Sequence, residues 1–254
     1  MSYRFILTPY YLDDRVVGFE PIVGADWQIN EASLPAGPRQ LRMATIYKPL
    51  ADFVADTIAE GETPVSFAGD CCSTLGVLAG LQRAGVSPTL IWLDAHGDFN
   101  TWETTPSGFL GGMPLAMLVG RGEPTMAHEI GLTPHPEAQV ILSDARDLDP
   151  GEKEAVAASD MIHLRDVAEL LDYPLPDGPL YVHFDIDVIR PEEVSATNYL
   201  APGGPSVGIL GRVFRRIAQT GQLVALSVSA LNPALDEDGR SQAAVMGLLD
   251  AFVA

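Results

Sequence analysis

Three short apolar runs, each breaking off at side chains able to hold a metal ion, constrain this chain more than any other feature. Residues 90–93 (Leu-Ile-Trp-Leu) fit a buried strand; Asp94, His96 and Asp98 then follow at alternate positions, with Gly97 and Asn100 turning the backbone away. Residues 180–184 (Leu-Tyr-Val-His-Phe) lead into Asp185-Ile186-Asp187, and residues 64–68 (Pro-Val-Ser-Phe-Ala) into Gly69-Asp70-Cys71-Cys72-Ser73. Side chains alternate along a strand, so each run sends its polar residues off one side of its end. In an open parallel sheet, the crevice beyond the carboxyl ends of the strands is where ligands bind. Four carboxylates, one imidazole and one sulfur converging there repel one another unless cations sit between them. Two divalent ions about 3.5–4 Å apart, sharing carboxylates, account for the set and acidify a water held between them. Taken singly, Asp98 reads equally well as a helix cap, and His183 reads as a histidine satisfied within the core.

The rest of the chain supplies the frame for such a sheet. Apolar residues recur at helical spacing over 41–60, 73–84 and 206–219, and strands are expected at 3–7, 65–68, 139–143 and 223–228. Further helices are expected at 113–120, 150–158, 163–171 and 241–253, while the stretch up to Gly37 reads as loop and short helix. Strand and helix alternating in this way mean an α/β fold, a central, mostly parallel sheet covered on both faces by helices. At 254 residues and 47% hydrophobic content the chain suits one domain spanning 1–254. A formal charge of -19 argues against nucleic acid or an anionic membrane as partner. The N-terminus lacks the apolar core of a signal peptide, no run is long enough to span a bilayer, and the two cysteines are adjacent. A cytoplasmic protein is therefore expected.

The motifs, in this order, resemble the metal-binding segments of the arginase and agmatinase (ureohydrolase) family: Gly69-Asp70-Cys71, the run from Asp94 to Asn100, and His183-Phe184-Asp185-Ile186-Asp187. Arg146-Asp147-Leu148-Asp149-Pro150-Gly151-Glu152 resembles the segment with which arginases hold the substrate's α-amino group. The resemblance implies a three-layer αβα fold and a binuclear Mn2+ hydrolase acting through a metal-bridging hydroxide. It implies that Asp94 and Asp185 bridge the ions, that His96 and Asp187 complete one, and that Cys71 and Asp98 complete the other. Asp98 is also implied as the catalytic residue that aims the hydroxide. Asn100, Thr105 and Ser107 match contacts to an α-carboxylate and Asp149 the contact to the α-amino group, which implies a small-molecule amino-acid substrate; short polar residues in such a loop also serve turn chemistry alone. Family members are commonly trimers or hexamers, so a homo-oligomer is expected, though none built on a long tail beyond Ala254.

Four positions depart from the family pattern. Cys71 stands where the family has histidine, and a thiolate is softer than imidazole, so the ion on that side is expected to be weakly held or a different metal. Alternatively Cys71 is a neutral buried thiol beside a single ion. Ala230 replaces the glutamate that holds the guanidinium, and Gly111 replaces a histidine thought to shuttle protons. Arg190 also stands in place of a common aspartate, either paired with a carboxylate or free in solvent. These residues point to a hydrolase of a C–N bond in an amidine or guanidine group of an α-amino acid. A hydroxyguanidine is attractive, because its lower basicity relaxes the need for the missing glutamate and histidine. The alternatives are a catalytically impaired relative that binds an amino acid or a protein partner, and an enzyme for another substrate such as a formimino compound.

Overall fold

The computed structural model describes residues 2–253. In chain order its strands and α-helices are β1 (Tyr3–Thr8), β2 (Tyr10–Tyr11), β3 (Asp14–Arg15), β4 (Gln28–Ile29), α1 (Arg39–Ala59), β5 (Thr63–Ala68), α2 (Thr74–Arg83), β6 (Thr89–His96), α3 (Pro114–Leu118), α4 (Thr125–Ile130), β7 (Val140–Asp147), α5 (Pro150–Ala157), β8 (Ile162–Leu164), β9 (Leu180–Asp185), α6 (Val207–Gln219), β10 (Leu223–Ser229) and α7 (Arg240–Val253). Among the described residues, eight strands form one sheet in the order β4-β1-β5-β10-β9-β6-β7-β8, every neighbouring pair parallel. β2 and β3 make a separate antiparallel ribbon.

Alternation along the strands sorts the core into two layers. Leu90 and Trp92 of β6, Tyr181 of β9 and Leu142 of β7 join the cluster formed with α1 and α2. Ile91, Leu93, Val182, Phe184 and Ile141 face the other way, onto Leu210, Phe214, Leu248 and Phe252 of α6 and α7. The helices α1 and α2 approach closely because Gly80 has no side chain; a Cβ there would lie 2.6 Å from the Ala51 carbonyl oxygen.

The elements depart from the sequence reading in three places. Residues 163–171 are not one helix: β8 extends the sheet at its edge and a 3-10 turn, Val167–Leu171, follows. Three residues of strand are too short for any periodicity to register, and His163 is pinned there by its Nε2 against the Asp144 carbonyl oxygen at 3.0 Å. The strand expected at 139–143 runs on to Asp147, and the N-terminal stretch contributes edge strand β4. No described helix is long and apolar enough to cross a membrane.

Candidate metal centre

The face alternation that builds the core also carries Asp94 and Asp185 to the α1/α2 side of the sheet, two residues beyond Trp92 and His183. β5 leads there too: its last residue is followed by Gly69, Asp70 and Cys71, and Asp70 accepts hydrogen bonds from the backbone N–H groups of Cys72 and Leu12, which fold this turn inward. Gly69 is required by close approach, since a Cβ there would lie 2.3 Å from the Tyr10 carbonyl oxygen.

A cavity of about 240 Å³ opens at these strand ends. Cys71, Asp94, His96, Asp98, Asp185 and Asp187 all line it, and so do Asn100, Thr105, Ser107 and Asp149. Every residue of the expected metal-binding and amino-acid-binding sets therefore reaches one cavity. His96 Nδ1 lies 3.1 Å from Asp187 Oδ2 and 3.5 Å from Asp94 Oδ1. Cys71 Sγ donates to Asp185 Oδ2 at 2.8 Å and lies 3.1 Å from Ser229 Oγ. The carboxylates are held by their surroundings: Trp92 Nε1 and the His96 backbone N–H donate to Asp94, and the Asp187 N–H donates to Asp185.

Asp98 does not act as a helix cap. Its Oδ2 is buried with no hydrogen-bond partner among the described residues, and its backbone is left-handed, with φ 49°. Burial, and then the charge of Asp94, push its pKa well up. Asp94 and Asp185 are raised as well, by burial first and then by Asp187. Burial opposes the charged form of His96, yet hydrogen bonds and charge from Asp187 and Asp94 outweigh it and lift its pKa to about 12. Buried acids crowded until they resist ionisation, with one carboxylate oxygen unpartnered, are the donor set that a divalent cation would neutralise. Oxygen and imidazole donors around His96 suit manganese, and the residues present fit such an ion.

The amino-acid rim is connected. Asn100 Nδ2 donates to Asp149 Oδ2 at 3.0 Å, and Thr104 Oγ1 donates to Asn100 Oδ1. Thr105 Oγ1 and Ser107 Oγ lie 3.4 Å apart, and each also accepts a backbone N–H within its own turn, so the loop serves turn geometry while facing the cavity. Arg146 has a structural role: its guanidinium donates to Asp144 and to the carbonyl oxygens of Asp187, Val188, Ala201 and Pro202, which ties β7 to the loops beyond β9. Residues 202–204 thus pack on Arg146. Arg190 pairs with Glu193 at 3.5 Å and with no carboxylate of the site.

Four features were not legible in the sequence. Glu152 lines the cavity and accepts the N–H groups of Phe99 and Asp149, fixing the turn after Asp98; burial raises its pKa to about 7. An aromatic wall of Tyr11, Phe109 and Tyr199 joins segments far apart in the chain, with ring centroids 6.4 and 5.3 Å apart. The Phe109 ring fills the space beside residue 111, where a Cβ would lie 2.4 Å from Phe109 Cζ. His183 is not the satisfied core histidine expected: Nδ1 meets Ser227 Oγ at 2.9 Å, but Nε2, fully buried, has no partner among the described residues. Burial lowers its pKa to about 3. No sequence pattern distinguishes a satisfied imidazole from a half-satisfied one.

A sequence model of the arginase family matches residues 22–253. The arginase of Bacillus subtilis is 30% identical over 217 residues, covering 80% of this chain and 73% of that one. The N(omega)-hydroxy-L-arginine amidinohydrolase of Streptomyces lavendulae is 31% identical over 183 residues, covering 71% and 64%. The crystal structure of the Bacillus subtilis arginase superposes with a TM-score of 0.86 at 23% identity, over 100% of this chain and 99% of that one, so the three-layer αβα architecture is shared.

Proposed function

Since the chain belongs to the arginase family, we propose that it is a metal-dependent amidinohydrolase whose substrate is an α-amino acid carrying a hydroxyguanidine. The observation that carries the substrate choice is the part of the cavity lined by Ala230, Gly111 and Phe109. Ala230 brings a methyl group there, and the Phe109 ring occupies the space beside Gly111. A plain guanidinium is a strong base that needs a carboxylate partner to be held in place. A hydroxyguanidine is far less basic and tolerates an apolar, aromatic wall. The activity named for the Streptomyces lavendulae relative supports the same choice.

Asp94, His96, Asp98, Asp185, Asp187 and Cys71 would hold the divalent ions, with manganese on the His96 side. Bound there, such ions supply a water acidic enough to lose a proton near neutral pH and cancel the charge of the aspartates. Asp98 presents Oδ2, without a hydrogen-bond partner among the described residues, to accept a hydrogen bond from the attacking water and pass its proton toward the leaving amine. Asp149 accepts from the substrate's α-amino group, held in place by Asn100 Nδ2. Asn100, Thr105 and Ser107 donate to the α-carboxylate. Tyr11, Phe109 and Tyr199 cover the side chain and keep bulk water from the scissile carbon.

The test is ornithine release by metal-loaded protein given Nω-hydroxy-L-arginine or L-arginine. The hydroxylated substrate is expected to give the larger kcat/KM by at least about tenfold, the equivalent of about 1.4 kcal/mol. Equal or greater activity on arginine would overturn the substrate choice. No ornithine from either would leave an amino-acid-binding relative as the better reading.

A further inference from the structure

Cys71 is not alone on its side of the centre. Its Sγ, a carboxylate oxygen of Asp94 and a ring nitrogen of His183 all lie within 4.8 Å of one another, and all three residues are buried. His183 sits one step deeper in the sheet than Asp185 on the same face of β9, opposite Trp92 of β6 and Ser227 of β10. Its ring lies against the Trp92 indole, centroids 4.0 Å apart, while the indole N–H is committed to Asp94. Ser227 Oγ takes Nδ1 and is itself held by Tyr181 Oη at 2.8 Å. That arrangement leaves Nε2 as the ring nitrogen with no partner among the described residues, and a ligating histidine is likewise held through its other ring atom. A buried polar nitrogen with no partner is costly, so its persistence calls for a ligand.

We propose that His183 Nε2 ligates the ion on the Cys71 side, making a Cys71–His183–Asp94 set that selects zinc over manganese. The inference rests on the metal-centre reading above and deepens it. A lost histidine at position 71 is then compensated by a histidine arriving from below, and the two ions of the centre differ in kind. Thiolate and imidazole are soft and borderline donors that favour zinc, and three protein ligands of mixed sulfur, nitrogen and oxygen are the donor count of catalytic zinc sites. The His96 side keeps oxygen-rich ligation and its preference for manganese.

The test uses the full chain, stripped of metal and reloaded with zinc in the presence of excess manganese. Bound metals are counted by elemental analysis, and the zinc environment is read by X-ray absorption. To remove ambiguity about which imidazole is seen, the spectrum is recorded in the His96→Asn variant, with His183 intact. Expected are one zinc per chain, a sulfur scatterer at about 2.3 Å and an imidazole on the same ion. The His183→Ser variant is expected to bind zinc at least about 100-fold more weakly, with a circular dichroism spectrum of the metal-free protein unchanged. Sulfur without imidazole, or manganese displacing the zinc, overturns this inference and leaves the metal centre standing. Failure of either ion to bind native protein overturns both.

Discussion

At the scale of the residue, two substitutions decide what the cavity can hold. Ala230 has φ 71°, so the backbone already accommodates a Cβ in the left-handed region, and a longer unbranched side chain adds no new backbone cost. Ala230→Glu is therefore expected to raise kcat/KM for arginine by roughly 10–100-fold, the worth of a hydrogen bond to a charged group. A variant that folds, binds metal and still ignores arginine would mean that the missing glutamate is not what excludes it. Position 111 behaves differently, because Phe109 stands where its side chain would emerge. Gly111→His alone should add little to arginine turnover, and Gly111→His with Phe109→Ala should add more. Equal rates for the two would refute the idea that Phe109 replaces the side chain at 111. Both positions could be picked out in the sequence as departures from a motif, but the sequence could not reveal that a neighbour had filled one of the gaps.

At the scale of the element, the site depends on how tightly β5 and the β2–β3 ribbon meet. Gly69 touches the Tyr10 backbone, and Gly80 lets α1 settle on α2, so both carry no Cβ for steric reasons. Their replacement by alanine should destabilise the protein by a similar amount, about 1–3 kcal/mol, as overpacking does. The two should part company in metal binding. Gly69→Ala shifts the turn that carries Cys71 and should weaken zinc binding, whereas Gly80→Ala lies further along α2, away from that turn, and should leave it unchanged. Urea midpoints and zinc titrations of both variants check this; equal zinc affinities would show that the turn does not position Cys71. The long helices and buried strands were legible because their apolar periods are unambiguous. β4 and β8 were not, since two or three residues at a sheet edge are set by pairing with β1 and β7 and leave no pattern of their own.

At the scale of the whole molecule, a chain of formal charge -19 folds around acids it cannot easily ionise. Burial, opposed by Arg146, raises the Asp144 pKa to about 6, and burial raises that of Glu152 to about 7, from ordinary values of 3.8 and 4.5. Each binds its proton more tightly folded than unfolded, so its contribution to stability is complete below its unfolded pKa and is lost as pH rises through the folded one. Metal-stripped protein should accordingly melt at a lower temperature at pH 8 than at pH 5. Added manganese and zinc should raise the melting temperature most at pH 8, where the ligands are easiest to deprotonate. A metal-free melting temperature that rises from pH 5 to pH 8 would contradict this. By itself the sequence determined which residues stand at the strand ends, and so the parallel αβα layering and the six metal-ligand candidates, because alternation and the apolar-to-acidic break are local and periodic. Only the tertiary structure decided that Tyr11, Phe109 and Tyr199 meet in one cavity wall, that Arg146 ties loops together, and that a buried His183 nitrogen has no partner among the described residues. Those facts depend on which side chains from distant segments meet, and the pairing of a buried polar atom exists only once the chain has packed.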